Sequence, residues 1–279
     1  MISITADEFE LLRNWIEQEC GISLQANKQY LVESRFANLM AEHGYTTFKE
    51  FYQHAKNNPN AAFKDKIIDA ITTNETLWFR DESPFITLQE KIFPEFAEHK
   101  KPCRIWSAAC STGQEPYSIA ISAVEYAEKN HQKPWLSQLS IFASDISQSA
   151  IQIAESGRYN GLSISRGLPA DYQQKYFEQD GSVYVLKDCI KQRVQFQKFN
   201  LQSSFLKLGK FDVIFLRNVA IYFSQDFKIQ LFRKLAEALN PGGYLFIGAS
   251  ETLIGYSDDF EPLEHKRCRF YQVKKKGLL

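Results

Sequence analysis

The segment from Arg104 to Ala120 constrains the fold more than any other part of this chain. Its residues predict a short strand, Arg104–Ser107, then a turn of small residues, and then a helix that begins at Pro116. Proline suits the first helical position, because the backbone N–H that it lacks would have no partner there. A strand, a tight turn and a helix N-terminus in this order expose backbone N–H groups at the positive end of a helix dipole. The segment therefore predicts an α/β sheet with a ligand site at the end of its first strand.

A second predicted strand, Leu139–Ser144, ends in Asp145, a carboxylate that is placed to accept hydrogen bonds from a ribose. The preceding turn contains one glycine, Gly113, whereas the dinucleotide fingerprint contains three. Asp145 also lies farther beyond that glycine than the ~20 residues expected for a dinucleotide fold. A nucleoside without a pyrophosphate fits this pattern better than NAD does. An ordinary buried turn between a strand and a helix is the alternative interpretation.

Composition and charge exclude several classes of protein. The chain has 33 basic and 33 acidic residues, so no overall field favours nucleic acid or an anionic membrane. No apolar run approaches the ~20 residues that span a bilayer, and the first residues lack the pattern of a signal peptide. The five cysteines are scattered, which indicates a reducing compartment and argues against a structural zinc site. We therefore expect a cytoplasmic protein that binds no metal and does not insert into a membrane.

Cys110 lies inside the turn and could be taken for a nucleophile. We predict instead that it is a small residue that fits a crowded turn.

Residues 1–72 predict an entirely helical N-terminal domain. Thr5 and Glu8 match a capping box at the start of the first helix, and Gly21 ends that helix. Apolar residues at helical spacing predict three further helices, with Gly44 as the C-cap of the second. These helices are expected at about Lys28–His43, Thr47–Asn57 and Phe63–Ile71. The polar segment Thr72–Asp81 then leads into a second domain.

Residues 73–279 predict alternating strands and helices, which is typical of a mostly parallel sheet covered on both faces. Strands are expected at Arg104–Trp106, Ser140–Ala143, Val194–Lys198, Val213–Leu216 and Tyr244–Gly248, and helices at Pro116–Glu128, Gln148–Glu155 and Gln225–Leu239. Residues 162–197 are expected to form a helix and a small antiparallel β insert. Cys268–Lys274 predicts one more strand, antiparallel and at the sheet edge. The predicted fold class is therefore α/β, with a Rossmann-like sheet that follows an all-helical domain.

Three further motifs accompany the turn after the first strand. Thr72–Asp81 reads TTNETLWFRD, Phe211–Phe223 reads FDVIFLRNVAIYF, and Gly243–Thr252 reads GYLFIGASET. Together with the segment ACSTGQEPYS, and in this order, they resemble the CheR-type chemotaxis receptor methyltransferases. The resemblance covers nearly the whole chain, including the helical domain. These motifs are specific, because they are not general features of methyltransferases.

This resemblance implies an enzyme that transfers a methyl group from S-adenosylmethionine to glutamate side chains of methyl-accepting chemotaxis receptors, leaving S-adenosylhomocysteine. It implies that Glu115 suits the cationic amino group of the methionine part, that Asp145 suits the ribose, and that Asn200 with Leu201 borders the adenine. The alternatives are that Asn200 only caps a turn and that Arg217 only pairs with a structural carboxylate. The complete implied cofactor set is Asn74, Thr76, Arg80, Glu115, Asp145, Asn200, Leu201, Arg217 and Asn218.

The implied reaction needs little acid–base chemistry. A glutamate carboxylate, with a pKa of about 4.3, is already ionised near pH 7, so no general base is required. Arg80 is the first candidate to orient this carboxylate, because a guanidinium fork matches its geometry. Tyr222 is the second candidate, as a hydroxyl donor at the mouth of the site, although core packing explains it equally well.

The implied partner is the cytoplasmic domain of the receptors. In some members of the family the β insert grips a tethering pentapeptide at the receptor C-terminus. Here Asp180–Gly181 predicts a short turn and Asp188–Arg193 contains no glycine, so few backbone groups remain for adding a peptide strand. We therefore expect recognition without the pentapeptide, through the helical domain around Lys28 and Arg35. The alternatives are a methyltransferase of the same fold with another protein or small-molecule acceptor, and a protein that senses S-adenosylmethionine without turnover.

Overall fold

The computed structural model describes residues 2–274, and its first part is a bundle of four helices. Each helix turns an apolar face inward, and the fully buried side chains include Leu12, Val32, Phe36 and Ile67. The bundle is therefore held by its own hydrophobic core. Its helices are α1 (Ala6–Cys20), α2 (Gln29–His43), α3 (Phe48–Asn57) and α4 (Ala61–Ile71).

The predicted caps of α1 and α2 are confirmed, whereas α4 begins at Ala61, two residues before the predicted Phe63. The Thr5 side chain accepts the backbone N–H of Glu8, and the Glu8 carboxylate accepts the backbone N–H of Thr5, which completes the capping box. Gly21 (φ 77°) and Gly44 (φ 72°) end α1 and α2 in the left-handed conformation that glycine adopts most easily.

The second part of the chain contains ten strands and nine further helices within the described residues. The strands are β1 (Cys103–Ala108), β2 (Leu139–Asp145), β3 (Arg158–Asn160), β4 (Phe177–Asp180), β5 (Val183–Leu186), β6 (Val194–Lys198), β7 (Phe211–Leu216), β8 (Leu239–Ile247), β9 (Phe260–His265) and β10 (Cys268–Val273). The helices are α5 (Ser83–Thr87), α6 (Phe93–Glu98), α7 (Gln114–Lys129), α8 (Lys133–Leu136), α9 (Gln148–Ser156), α10 (Gly161–Ser165), α11 (Ala170–Tyr176), α12 (Asp188–Lys191) and α13 (Gln225–Ala238). A π-helical turn, Leu88–Ile92, joins α5 to α6.

Seven strands form one sheet in the order β6-β2-β1-β7-β8-β10-β9. The five strands from β6 to β8 are parallel, and β10 runs antiparallel to both of its neighbours. Side chains of β7 alternate between two apolar cores, with Phe215 in one and Ile214 in the other. The predicted α/β sheet, covered on both faces, is confirmed.

The prediction that Cys268–Lys274 forms the sheet edge is wrong. These residues form β10, which is antiparallel as predicted, but β9 pairs with its other side and is the outermost strand. Sequence reasoning missed β9 because Glu261, Pro262 and Glu264 interrupt its apolar pattern. Charged residues and proline are tolerated at a sheet edge, where one side of the strand faces solvent.

The predicted β insert is present, but its strands differ from the prediction. A three-stranded antiparallel sheet forms in the order β3-β5-β4, and Gly181 lies in the two-residue turn between β4 and β5. Val194–Gln197 falls both in the predicted strand Val194–Lys198 and in the predicted insert, and the structure places it in β6, which pairs in parallel with β2 in the main sheet. Asp188–Arg193 is not a loop within the insert, because most of it forms α12. Strand partners that are distant in sequence cannot be chosen from local β character alone.

The helix after β1 begins earlier than predicted. Helix α7 starts at Gln114 with Gly113 as its N-cap residue, so Pro116 occupies the third helical position instead of the first. The first four backbone N–H groups of a helix have no partner within the helix, so proline is tolerated here as well.

Helix α4 packs against α9, and several polar contacts join the helical domain to the sheet. Lys198 at the end of β6 pairs with Asp65, and Ile22 forms an isolated β-bridge with Phe223.

Within the described residues, we find no helix with the length and apolar character that crossing a membrane would require.

Candidate functional site

One cavity lies at the carboxyl ends of the parallel strands, the edge at which open α/β sheets bind ligands. Every residue that sequence analysis assigned to the site lines this cavity. They come from the link between the domains, from helix α7, from the last residue of β2, and from the segments that follow β6 and β7. These residues are Asn74, Thr76, Arg80, Glu115, Asp145, Asn200, Leu201, Arg217, Asn218 and Tyr222.

The helical domain forms one wall of the cavity, which the sequence did not predict. This wall is apolar and comprises Cys20, Ile22, Leu24, Leu31 and Ile71. The same residues follow the apolar spacing of the bundle core, so the sequence holds no signal that separates them from ordinary core positions.

The turn between β1 and α7 brings the backbone close to the cavity. Ala109 (φ 61°), Ser111 (φ 51°) and Gly113 (φ 95°) all adopt left-handed backbone conformations. A Cβ atom at Gly113 would lie 2.9 Å from the Cβ of Ala154, closer than side chains normally approach. The turn is therefore packed tightly against α9, which leaves no room for a side chain at Gly113.

Cys110 is buried in this turn, and its backbone N–H donates to the carbonyl of Ser144 at 2.9 Å. Burial raises the pKa of its thiol well above the ordinary value, and the nearby carboxylates of Asp145 and Glu115 raise it further. The protonated thiol is a poor nucleophile, which favours the structural interpretation of Cys110. Among the described residues, no group of three or more His, Cys, Asp or Glu side chains could hold a metal ion.

Asp145 is buried at the end of β2, where two backbone N–H groups hold its carboxylate. The N–H of Ser111 donates to Oδ2 at 2.7 Å, and the N–H of Ser147 donates to Oδ1 at 2.9 Å. Burial raises the pKa of Asp145, and these backbone hydrogen bonds oppose the rise. Each carboxylate oxygen can accept more than one hydrogen bond, so Asp145 keeps acceptor capacity toward the cavity.

A polar network connects Asn74 to the helical domain. The Asn74 side-chain amide donates to Oγ of Ser147 at 3.3 Å, and that hydroxyl donates to Asp69 at 2.7 Å. The Asn74 carbonyl accepts the hydroxyl of Ser111 at 2.9 Å. Ser147 is fully buried, so this network fixes the link between the domains against the end of β2.

Glu115 and Arg217 form a buried charged cluster at the centre of the site. Glu115 accepts the Ser107 hydroxyl at 2.8 Å with one oxygen and Nη1 of Arg217 at 2.9 Å with the other. Nη2 of Arg217 donates to Asp81 and to the carbonyl of Arg80, each at 2.7 Å. Only 2% of the Arg217 side chain is exposed, against 13% for Glu115. Two carboxylates against one guanidinium leave this cluster with a net negative charge.

The other arginine of the cavity has a different environment. The Arg80 side chain is half-buried, and its guanidinium makes no hydrogen bond or ion pair within residues 2–274. Tyr222 is also half-buried, and its backbone carbonyl accepts the N–H of Ser23 at 2.8 Å. Its phenolic oxygen has no hydrogen-bond partner in the same part of the chain. Arg80 and Tyr222 therefore retain polar groups that the fold itself does not use.

The Asn200 side chain is occupied by the fold, as the turn-capping alternative proposed. Its amide donates to the carbonyl of Glu19 at 2.8 Å, and its oxygen accepts the N–H of Gln202 at 2.9 Å. Lys234 on α13 donates to the carbonyl of Leu201 and, at 3.1 Å, to that of Ser203. Asn200 and Leu201 thus line the cavity on a loop that α1 and α13 hold from two sides.

Asn218 follows β7 in a left-handed backbone conformation (φ 57°). Its side-chain oxygen is buried and has no hydrogen-bond partner among the described residues. The carboxylate of Glu251 accepts the backbone N–H of Asn218 at 2.7 Å, a contact that the motif containing Glu251 did not predict.

The residues that line the cavity fit S-adenosylmethionine, a cationic nucleoside. Glu115 belongs to a net negative cluster that suits a cationic amino group, and Asp145 has acceptor capacity for ribose hydroxyl groups. The buried oxygen of Asn218 lacks a donor that a bound ligand would supply. The apolar wall of the helical domain can cover the base.

Comparison with known families gives two matches that together span most of the chain. The family described as "CheR methyltransferase, all-alpha domain" matches residues 7–72. The family described as "CheR methyltransferase, SAM binding domain" matches residues 74–268.

Curated relatives are similar over nearly their whole length. The chemotaxis protein methyltransferase Cher2 of Pseudomonas putida is 42% identical over 274 residues, which cover 96% of this chain and 98% of that protein. A chemotaxis protein methyltransferase of Vibrio anguillarum is 42% identical and covers 98% of this chain and 99% of its own. One from Borreliella burgdorferi is 36% identical over 91% of each chain.

Proposed function

Because the chain belongs to the CheR family of chemotaxis protein methyltransferases, whose second domain binds S-adenosylmethionine, we propose that it methylates glutamate side chains of chemotaxis receptors. The product is a glutamate methyl ester, formed on the cytoplasmic domain of the receptor. The same proposal assigns the enzyme to the cytoplasm, where its five cysteines, all unpaired, remain reduced.

One observation carries this proposal: the cavity combines carboxylates suited to the cofactor with an arginine that the fold leaves unpaired. The two terminal nitrogens of Arg217 donate to Glu115, to Asp81 and to the carbonyl of Arg80, so this guanidinium cannot turn its terminal fork toward an incoming carboxylate without breaking a buried cluster. Its Nε is buried and has no partner among the described residues. The guanidinium of Arg80 lines the same cavity and has no partner within residues 2–274. Its planar fork can bind a carboxylate through two hydrogen bonds.

S-adenosylmethionine supplies the methyl group on a sulfonium that is itself the leaving group. The residues of this chain have to bind, orient and exclude water, because the acceptor carboxylate is ionised near neutral pH. We assign orientation of the acceptor to Arg80, with the Tyr222 hydroxyl as a second donor. Glu115 and Asp145 are assigned to the amino group and the ribose.

The other cavity residues complete the proposed cofactor site. Asn200 and Leu201 border the adenine through their backbone and the Leu201 side chain, since the Asn200 side chain is engaged elsewhere. Asn74, Thr76 and Asn218 line the cavity beside them. Arg217 acts by holding the Glu115 carboxylate in place.

The direct test is transfer of a radiolabelled methyl group to purified receptor cytoplasmic fragments, with release of label by base as the signature of an ester. Arg80→Ala should lower kcat by about 100-fold, the loss expected when a reacting group is misplaced. Arg80→Lys should restore little, because an ammonium lacks the bidentate fork. Arg233→Ala removes an exposed arginine on α13 and is the matched control. Wild-type rates in both Arg80 variants would refute the orienting role.

The same assay separates the alternatives. Label that is transferred only to another protein or to a small molecule would indicate a methyltransferase of the same fold with a different acceptor. Cofactor binding without transfer to any acceptor would indicate a sensor. Base-labile label on receptor fragments supports the proposal.

We also propose that receptor capture does not depend on a tethering pentapeptide. The support is the tight turn at Gly181 between β4 and β5, which leaves no long loop in the insert to receive a peptide. The expected docking face around Lys28 and Arg35 needs one correction, because the Arg35 guanidinium donates to the carbonyl of Thr72 at 2.6 Å and to Thr73. Arg35 therefore serves the link between the domains, and Lys28 remains as the cation of this face.

Titration of the protein with a receptor C-terminal pentapeptide tests this second proposal. We expect no saturable binding. Low-micromolar binding that is lost after substitutions in residues 181–193 would refute it.

A further inference from the structure

The carboxylate of Glu251 joins the ends of two neighbouring strands at the cavity. The parallel ladder between β7 and β8 ends at the pair Leu216–Ile247. Beyond this pair, one oxygen of Glu251 accepts the backbone N–H of Asn218 and the backbone N–H of Gly248, both at 2.7 Å. The backbone N–H of Glu251 donates to the carbonyl of Gly248 at 2.9 Å, which closes the turn. Glu251 thus continues the connection between the strands where their own hydrogen bonds stop.

This contact fixes the left-handed backbone conformation of Asn218. Asparagine adopts this conformation more readily than most residues other than glycine, and a hydrogen bond to its backbone N–H helps to select it. Asn218 has φ 57°, and the carboxylate of Glu251 accepts its N–H in a charge-assisted hydrogen bond.

Gly248 contacts the side-chain amide of Asn218. A Cβ atom at Gly248 would lie 2.7 Å from Nδ2 of Asn218 and 2.7 Å from the bonded oxygen of Glu251. The Asn218 amide therefore packs directly on the backbone at the end of β8. Its own side-chain oxygen remains buried without a donor within residues 2–274.

We propose that Glu251 is a positioning residue, which, with Gly248, orients the Asn218 amide so that its oxygen can accept a hydrogen bond from the bound cofactor. The inference rests on the proposed function, because it takes Asn218 as part of the cofactor site. Glu251 lines a neighbouring cavity and not the cofactor cavity, so its effect on the cofactor passes through Asn218.

The test is calorimetric binding of S-adenosylhomocysteine to the full chain. Glu251→Ala should weaken binding about 10- to 100-fold, the range expected for loss of a charge-assisted hydrogen bond that holds a ligand-binding group. Glu251→Gln keeps an acceptor oxygen and should recover most of the affinity. Glu264→Ala removes an exposed glutamate from the wall of the neighbouring cavity and should leave binding unchanged. Unchanged affinity in Glu251→Ala would overturn the proposal.

Gly248→Ala provides a second variant, which crowds the contact between Asn218 and Glu251 without substituting either residue. The backbone of Gly248 is not left-handed, so alanine adds only the contact with Asn218 and Glu251. We expect it to weaken binding of the same ligand, and wild-type affinity would count against the proposal.

A double-mutant cycle distinguishes positioning from a general structural effect. If Glu251 acts through Asn218, then Glu251→Ala should change affinity little in an Asn218→Ala background. Additive losses would overturn the proposal. Failure of the wild-type protein to bind S-adenosylhomocysteine would instead refute the proposed function, so the two failures are distinguishable.

Discussion

At the scale of single residues, the two arginines of the cavity differ in role because their surroundings differ. Arg217 is buried between Glu115 and Asp81, where its charge is needed to keep two carboxylates close together. Removing one partner of such a cluster leaves an uncompensated buried charge, which costs several kcal/mol. The guanidinium of Arg80 makes no hydrogen bond or ion pair among the described residues, so it can bind a ligand.

The first prediction concerns Asp145. Asp145→Ala should weaken S-adenosylhomocysteine binding by about 1–3 kcal/mol, because it removes hydrogen bonds to a charged acceptor. The substitution also leaves the backbone N–H groups of Ser111 and Ser147 without their acceptor, so the free energy of unfolding of the variant is measured beside its affinity. Calorimetry gives the affinities, with the exposed Asp258→Ala as the control. Unchanged affinity in Asp145→Ala would remove this residue from the proposed site.

At the scale of elements, the turn between β1 and α7 decides how closely a ligand can approach the backbone. Three of its residues are left-handed, and the helix that follows carries Glu115 in its first turn. The turn packs on α9 through Gly113, so its geometry depends on both a local conformation and a long-range contact.

The second prediction separates these two contributions. Gly113→Ala should lower the free energy of unfolding by about 1–3 kcal/mol, because alanine is strained at φ 95° and its Cβ would crowd Ala154. Gly44→Ala is the matched control, since Gly44 has φ 72° but no atom within 4 Å of an added Cβ. Urea unfolding should show the larger loss for Gly113→Ala. Equal losses would mean that the contact with α9 contributes nothing.

The third prediction concerns Lys234, which connects α13 to the loop after β6. Burial lowers the pKa of Lys234 to about 8 from its usual 10.5. Between these values the unfolded chain binds more protons than the folded chain, so this lysine makes the free energy of unfolding rise with pH. Below about pH 8 the cost of burying the charge is present in full.

Lys234→Met should therefore lose this pH dependence. Urea unfolding at a series of pH values from about 7 to 10 should show the wild-type protein gaining stability relative to the variant across that range. Lys207→Met, at an exposed position, should follow the wild-type curve. A constant difference between wild type and Lys234→Met would contradict the assignment.

At the scale of the whole molecule, the cavity lies between the helical domain and the sheet. Leu24 and Leu31 form part of one wall, and Asp145 and Glu115 form part of another. Contacts such as the hydrogen bond from Ser23 to the carbonyl of Tyr222 close the same region. A ligand in this cavity touches both parts of the chain at once.

The fourth prediction follows from this shared cavity. S-adenosylhomocysteine at about 100 times its Kd should stabilise the folded chain by about 2.7 kcal/mol, and both parts should unfold together in its presence. Scanning calorimetry gives the shift, and tryptophan fluorescence follows the two parts, since Trp15 lies in the helical domain and Trp78, Trp106 and Trp135 lie in the second part. Comparison with Trp15→Phe isolates the signal of the helical domain. A shift confined to the other three tryptophans would show that the helical domain does not contact the ligand.

Local features of this chain were predictable from sequence because they depend on neighbours along the chain. The capping box at Thr5, the helix ends at Gly21 and Gly44, and the strand, turn and helix after Arg104 all form as expected, apart from the exact start of α7. The cavity residues also meet as expected, because the carboxyl ends of parallel strands share one edge of the sheet.

Only the tertiary structure decided which partners these segments and side chains take. It assigned Val194–Gln197 to the main sheet, covered β10 with β9, and engaged Arg35 with the link between the domains. It also left Arg80 without a partner among the described residues and brought Glu251 to Asn218. Each of these outcomes depends on contacts between segments far apart in the chain, and local propensity carries no information about them.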